Sequence, residues 1–153
     1  MHQLPLLGFF HYQNGKNLVL YTDASDLAGA SVLMLEMEGG GRLPLSYSSF
    51  KFPSSSLKQS IFRKEWYAVA AALRKNADIL SCLHLTLLID SKALYFALTN
   101  PKIKLTEQLY RLSAFVQSFS YTVKWVPSKS NIADILTRQV DSSILPPPGY
   151  LLP

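Results

Sequence analysis

Two aspartates in this chain stand at places where ligand sites commonly form. Asp23 and Asp90 each follow an apolar, β-rich run, Leu18–Thr22 and Leu83–Ile89 respectively. The carboxyl ends of strands are where the sites of α/β sheets collect, so acids arriving there from separate strands could converge. Aspartate also favours turns, and for either residue alone a turn is the simpler interpretation.

Glu65 is more informative, because it lies in an apolar helical stripe. Its neighbours at i−4, i+3, i+4 and i+7 are Ile61, Ala68, Val69 and Ala72. A carboxylate in such a stripe points at or near the sheet, where desolvation costs several kcal/mol unless a cation, a donor or a raised pKa compensates. The alternative is that Glu65 lies at the margin of the stripe and pairs with a nearby Lys or Arg.

Asp134 carries less information on its own. Asn131 suits the N-cap of a helix and Asp134 its first turn, where an acid interacts favourably with the helix dipole. Spacing alone therefore indicates a capping acid. If all four acids did converge, they would form an oxygen-rich, histidine-poor pocket, which is the ligand set that Mg²⁺ or Mn²⁺ prefers. Two such ions can activate water and stabilise the leaving oxygen in phosphodiester hydrolysis.

The elements that must position these acids follow from composition and periodicity. Gly39, Gly40 and Gly41 favour a hairpin between the second and third strands. The order β-β-β-α-β-α-α-β-α argues for an α/β fold, with a mixed sheet and helices packed on its faces. Strands are predicted over Leu18–Thr22, Ala30–Met37, Leu43–Phe50, Leu83–Ile89 and Tyr121–Val126, and helices over Leu57–Leu80, Ser91–Leu98, Glu107–Phe119 and Asn131–Gln139.

The whole chain sets wider limits. Its 153 residues suit one domain, predicted over residues 18–139, between an irregular lead-in (1–17) and a proline-rich linker or tail (140–153). The net charge of +5 favours an anionic partner such as nucleic acid, although solubility explains it equally well. Cys82 is the only cysteine, which excludes an internal disulfide and a cysteine-based zinc site. No secretory signal or membrane span is evident, so we expect a cytoplasmic or nuclear protein with no membrane partner.

Four blocks of this sequence, taken together, resemble the ribonuclease H domains of retroelement reverse transcriptases. The pattern is most similar to gypsy-type long-terminal-repeat retrotransposons and their pararetroviral relatives. The resemblance implies an RNase H-like fold, with a central mixed five-stranded sheet whose first three strands are antiparallel, flanked by helices. The blocks follow one another in the family's order and are Leu20–Ser25, Arg63–Val69, Ile89–Leu94 and Val126–Arg138.

The resemblance also implies a site, a substrate and partners. It implies that the RNA strand of an RNA–DNA hybrid is cut during reverse transcription, by a domain joined to an upstream reverse transcriptase in a polyprotein. Residues 1–17 would then come from the polymerase region. It replaces the capping interpretation of Asp134. Four carboxylates are implied to be catalytic and to bind two Mg²⁺ or Mn²⁺ ions: Asp23, Glu65, Asp90 and Asp134.

Ser25, Lys92 and Asn131 lie beside the motif acids and are candidate contacts to the nucleic-acid backbone or 2′-hydroxyls. A turn serine, a solvated lysine and a helix cap are equally good interpretations. The sequence departs from the pattern at one point. Many members carry a histidine in the loop before the last aspartate, thought to assist product release, and the loop Pro127–Asn131 has none. This departure bears on the turnover rate more than on activity, since gypsy-type members often lack that histidine too.

Three other functions remain open at this stage. The first is a catalytically weak or inactive RNase H-like module, with a structural or nucleic-acid-binding role in a retroelement polyprotein. The complete set of four acids argues against it. An integrase core of the same superfold would have glutamate as its last acid, where this chain has Asp134. A plain nucleic-acid-binding domain would need a binding motif, and none is recognised.

Overall fold

The computed structural model describes residues 17–100 and 102–141. The predicted lead-in and tail fall almost entirely outside these residues, and the predicted domain limits therefore stay predictions. Five strands form one sheet in the order β3-β2-β1-β4-β5. The β1–β2 and β2–β3 pairs are antiparallel and the β1–β4 and β4–β5 pairs parallel, which confirms the predicted mixed sheet. The strands are β1 Asn17–Ala24, β2 Ala28–Glu36, β3 Arg42–Lys51, β4 His84–Ile89 and β5 Ser120–Trp125.

The helices confirm the predicted order but not every predicted boundary. The prediction of a single helix over Leu57–Leu80 is wrong. The observed helix begins after the N-cap Ser60, and it is interrupted at Asn76. The Asn76 side chain donates to the Ala72 carbonyl at 2.9 Å, a local bond of the kind that competes with helix continuation. No helix in the described part of the chain is long and apolar enough to cross a membrane. The helices are α1 Ile61–Lys75, α2 Ala77–Leu80, α3 Lys92–Thr99, α4 Glu107–Gln117 and α5 Ala133–Asp141, with a 3₁₀ turn at Ser128–Ser130.

Strand β1 is buried on both faces, which places it at the centre of the molecule. On one face, Leu18 and Leu20 pack in the same cluster as Trp66 and Leu73 of α1. The opposite face packs with α5 through a second cluster that contains Ala133. A strand covered on both faces needs an almost continuous apolar run, as the segment from Leu18 to Tyr21 has. The polar residues at its carboxyl end, Thr22 and Asp23, are nevertheless buried.

Gly29 in β2 lies directly against the ring of Phe50. A Cβ at this position would lie 2.7 Å from Cζ and 2.8 Å from Cε1 of Phe50, well inside contact distance. We therefore expect Gly29→Ala to lower the free energy of unfolding by about 1–3 kcal/mol in urea denaturation, because the ring must move. Gly41→Ala is the matched control, since no atom of the described part of the chain lies within 4 Å of its added Cβ. Equal stability of the two variants would contradict this packing.

Candidate metal centre

The sheet topology brings three of the predicted acids together. Asp23 lies near the end of β1 and Asp90 directly follows β4, and these two strands are parallel neighbours. Glu65 comes from α1, which packs across β1. One carboxylate oxygen from each residue lies within 4.8 Å of the other two. The expected convergence of strand-end acids therefore occurs, and a helix contributes the third.

Glu65 is buried, with 5% of its surface exposed, and Oε2 has no hydrogen-bond partner among the described residues. The alternative position at the margin of the stripe, paired with a Lys or Arg, is therefore wrong. Burial raises the pKa of Glu65 to about 9, and the charges of Asp23 and Asp90 add to the rise. The backbone amide of Ala24 acts in the opposite direction. Glu65 thus has a buried acceptor atom that no donor in the described protein satisfies.

The two aspartates are also shifted towards their protonated forms. Burial raises the pKa of Asp23 to about 7, and the charge of Asp90 adds to it, while a hydrogen bond from Thr137 lowers it. Burial likewise raises the pKa of Asp90, and a hydrogen bond from Asn131 lowers it. Burial and the charges of neighbouring carboxylates make all three acids disfavour ionisation, and a bound cation would offset both effects.

Asn131 connects the cluster to three parts of the fold. Its side chain is 2% exposed, and Nδ2 donates to the Thr22 carbonyl at 2.8 Å and to Asp90 Oδ2 at 3.2 Å. Oδ1 accepts from the backbone amide of Ala133 at 3.1 Å and so caps α5. The predicted capping role is present, and the bonds to β1 and Asp90 make Asn131 a positioning residue as well. Its predicted contact with nucleic acid stays a prediction.

Asp134 is not one of the three carboxylates that all lie within 4.8 Å of one another, but its side chain is within hydrogen-bonding reach of Asp23. Oδ2 of Asp134 is 2.8 Å from Arg138 in an i,i+4 ion pair on α5. The charge of Asp134 is nevertheless close enough to raise the pKa of both Asp23 and Asp90. Arg138 is thus a cationic partner for Asp134, whereas no Lys or Arg among the described residues forms an ion pair with Glu65. Its predicted role as a fourth metal ligand stays a prediction.

Ser25 and Lys92 lie at the edge of the site. The Ser25 hydroxyl accepts from the backbone amide of Ala28 at 3.0 Å, which closes the turn between β1 and β2. The Lys92 ammonium lies 5.0 Å from the ring centroid of Trp125, whose Nε1 donates to the Asp90 carbonyl at 3.0 Å. Both residues therefore support the local structure, and their contacts with nucleic acid stay predictions.

Thr137 and Trp125 are site residues whose roles were not predicted from the sequence. Thr137 is 1% exposed and donates to Asp23 Oδ2 at 2.9 Å, from the turn of α5 that follows Asp134. A polar residue three positions after a motif acid shares its helix face, and that spacing could have indicated the contact. For Trp125 the sequence gave no such signal, because its hydrogen bond is to a backbone carbonyl, which any residue could supply.

The donor set fits hard divalent cations. The three converging side chains offer only carboxylate oxygens, and one of these, Glu65 Oε2, is buried with no donor within residues 17–100 and 102–141. Mg²⁺ and Mn²⁺ prefer oxygen ligands, while zinc sites usually include histidine or cysteine. His84 is engaged elsewhere, with Ser120 and Thr122 on β5. Asp23, Glu65 and Asp90 are therefore the residues that would hold the metal.

Thr137→Val tests the support of Asp23. The valine keeps the shape of the side chain but removes the donor, so Asp23 should bind a proton more tightly and a metal more weakly. We expect the apparent affinity for Mn²⁺, measured by calorimetry at pH 7, to fall by about tenfold. Thr99→Val on α3, an exposed threonine that donates to the Tyr95 carbonyl, is the control. An unchanged affinity in Thr137→Val would show that this hydrogen bond does not support the site.

A five-stranded mixed sheet in this order, with an acidic cluster where β1 and β4 end, defines an RNase H-like domain. The family model described as the RNase H-like domain found in reverse transcriptase matches residues 13–119. The chain belongs to this family. The predicted resemblance and fold are therefore confirmed.

Individual relatives agree with this assignment. The chain is 30% identical over 136 residues to the transposon Tf2-3 polyprotein of Schizosaccharomyces pombe; the match covers 87% of the chain but 10% of the polyprotein. The fold is similar to RNase H1 from Halobacterium salinarum, with a TM-score of 0.62 and 22% identity over 82% of this chain and 99% of that one. It is also similar to LC11-RNase H1, an enzyme isolated from compost, in the structure of its complex with an RNA/DNA hybrid. The TM-score is 0.59 and the identity 18%, over 78% of this chain and 93% of that one.

Proposed function

We propose that this domain is an endoribonuclease that hydrolyses the RNA strand of RNA–DNA hybrids, by a two-metal-ion mechanism, during reverse transcription. The observation that carries the proposal is the convergence of Asp23, Glu65 and Asp90, with a buried oxygen on Glu65 that no described residue satisfies. A domain that served only as a structural connection would have no need for three costly buried or half-buried acids in one place.

The residues around the cluster have separable tasks in this reaction. Asp23, Glu65 and Asp90 hold the metal, with Asp134 as the proposed fourth ligand. Two bound Mg²⁺ or Mn²⁺ ions would supply Lewis acidity for phosphodiester hydrolysis. Asn131 and Thr137 keep the carboxylates of Asp90 and Asp23 in place through the hydrogen bonds described above.

The substrate and context are inferred from charge and from relatives. One structural neighbour is described in complex with an RNA/DNA hybrid, and the curated relatives are transposon polyproteins. The excess of 15 Lys and Arg over 10 Asp and Glu suits a polyanion, particularly since three of the acids are gathered in the site. The chain spans about a tenth of the length of the curated relatives it matches. We therefore propose that it acts beside an upstream reverse transcriptase domain, in cytoplasmic virus-like particles or the nucleus.

The test is cleavage of a labelled RNA–DNA hybrid with Mg²⁺ or Mn²⁺ by the wild type and by Asp90→Asn. We expect metal-dependent cleavage of the RNA strand by the wild type and a loss of about 100-fold or more in Asp90→Asn, because a metal ligand is removed. Asp78→Asn, at an exposed position in α2, is the matched control and should cleave normally. Duplex DNA should remain uncut.

Two outcomes would reject the proposed activity. Absence of metal-dependent cleavage by the wild type, even at high enzyme concentration, would favour an inactive RNase H-like module with a structural or nucleic-acid-binding role. Equal cleavage by the wild type and Asp90→Asn would show that the acidic cluster is not the source of the cleavage.

A further inference from the structure

Lys64 is a buried cation that the proposed reaction does not use. It lies in α1 immediately before Glu65, with 2% of its surface exposed. No carboxylate among the described residues forms an ion pair with its ammonium group. A buried ammonium without a counter-ion is costly unless other groups replace the lost water. The chain around Lys64 must therefore be arranged to accommodate it.

Two backbone carbonyls and an aromatic ring surround the ammonium group. Nζ donates to the carbonyl of Asp26 at 2.7 Å and to the carbonyl of Leu57 at 2.9 Å. It also lies 5.8 Å from the ring centroid of Phe52, within the range of a cation–π interaction. Hydrogen bonds from a charged donor are stronger than neutral ones, so these contacts hold the two carbonyls at a defined separation.

The two carbonyls belong to different segments of the chain. Asp26 lies in the turn between β1 and β2, three residues after Asp23. Leu57 and Phe52 lie in the segment between β3 and α1. The same two segments are joined by a backbone hydrogen bond from the Phe52 amide to the Leu27 carbonyl, at 2.8 Å. Lys64 thus connects α1 to the turn that follows β1 and to the segment that precedes α1.

We propose that Lys64 is a positioning residue for the carboxylate cluster, an inference that rests on the proposed metal-dependent function. The turn it holds follows Ala24, the last residue of β1 and the neighbour of Asp23, and the helix that carries Lys64 presents Glu65 one residue later. The short bond to Asp26 therefore sets the separation between the end of β1 and α1. That separation determines whether Asp23 and Glu65 can share a metal, because binding sites tolerate displacements of only about 0.5 Å.

Lys64→Met removes the ammonium group and keeps an unbranched apolar side chain. Without nucleic acid, we expect the dissociation constant for Mn²⁺, measured by calorimetry on the full chain, to rise by about tenfold. In metal-free protein, the amide of Ala28, which donates to the Ser25 hydroxyl in the held turn, should exchange with deuterium faster. Lys64→Arg keeps the charge and the donors, so its Mn²⁺ affinity and its Ala28 exchange rate should stay close to those of the wild type.

Lys75→Met is the matched control. Lys75 lies on the same helix and donates to a single backbone carbonyl, that of Tyr47, at 2.8 Å, but it is exposed. Its replacement should change neither the Mn²⁺ affinity nor the exchange of Ala28. An effect as large as that of Lys64→Met would mean that loss of any lysine on α1 has the same result, and would overturn the proposal.

The remaining outcomes also decide the question. Wild-type Mn²⁺ affinity in Lys64→Met overturns the proposal, even if Ala28 exchanges faster, since Lys64 would then support only the fold. If Lys64→Met does not fold, Phe52→Leu takes its place, with a smaller loss of affinity expected and wild-type values overturning the proposal. If the wild type itself binds no Mn²⁺, the proposed function fails; Ala28 exchange in the variants then shows separately whether Lys64 holds the turn.

Discussion

Glu65→Gln is expected to make the metal-free protein more stable at pH 8 and to abolish hybrid cleavage. The two effects have one cause, because burial and the charges of Asp23 and Asp90 raise the pKa of Glu65 to about 9. At pH 8, Glu65 must take up a proton when the wild type folds, and this uptake lowers the free energy of unfolding. Glutamine keeps the shape of the side chain and has no ionisable group, so it removes this penalty. The free energy of unfolding should rise by several kcal/mol at pH 8, measured in EDTA by urea denaturation. Cleavage should fall by at least about 100-fold, because a metal ligand is lost.

The pH dependence gives this prediction its sign. An ordinary glutamate has a pKa of 4.5, so between that value and about 9 the folded protein binds more protons than the unfolded chain. The stability of the metal-free wild type should therefore fall as the pH rises through this window, and the slope should be smaller in Glu65→Gln. Below about pH 4, Glu65 is protonated in both the folded and the unfolded wild type, so the stabilities of the wild type and Glu65→Gln should differ little.

Glu107→Gln is the control for this comparison. Glu107 is also a helical glutamate, but it lies on the surface of α4 and pairs with Arg111 in an exposed i,i+4 ion pair. Exposed pairs of this kind contribute little, so stability, its pH dependence and cleavage should all be preserved. A Glu65→Gln variant that is less stable than the wild type at pH 8 would show that the carboxylate is satisfied in a way the structure does not contain.

The architecture was predictable because its signals are local. Alternating and continuous apolar runs, a glycine hairpin and helical spacing give the order of elements, and that order limits the sheet to a few topologies. The error at Asn76 has a local cause too, since the competing hydrogen bond to Ala72 is made by a side chain and not by the apolar pattern. The ends of helices depend on such single contacts, which periodicity does not detect.

The site was predictable where it depends on the desolvation cost of a buried carboxylate or on the order of the strands. A glutamate in an apolar stripe is unusual in itself. The two strand-end aspartates are not, but the parallel pairing of their strands brings them together. The supporting contacts were not predictable in this way. Asn131 reaches the Thr22 carbonyl across 109 positions, and Lys64 is buried by carbonyls from two separate segments. Neither residue type suggests burial, because both usually lie at the surface. Contacts of this kind depend on how finished elements pack, and no spacing within one element encodes them.

Asp23→Asn should remove most of the stabilisation that the wild type gains from metal. An ion that binds only the folded state stabilises it by RT ln(1 + [ion]/Kd), so the stabilisation grows with the logarithm of the ion concentration once the site is nearly full. At a concentration a hundred times its dissociation constant, Mg²⁺ should add about 2.7 kcal/mol, seen as a rise of several degrees in melting temperature at pH 8. The charges of Asp90 and Asp134 both raise the pKa of Asp23.

Asp23→Asn should therefore have two opposite effects on the melting temperature in a Mg²⁺ titration. The metal-free variant should melt above the metal-free wild type, because one repelling charge is gone, and its response to Mg²⁺ should be less than half as large. Asp78→Asn, at an exposed position on α2, should reproduce the wild-type curve at every Mg²⁺ concentration. If Asp23→Asn and the wild type respond equally to Mg²⁺, the stabilising ions bind elsewhere. The convergence of the three carboxylates would then have to be explained without a metal.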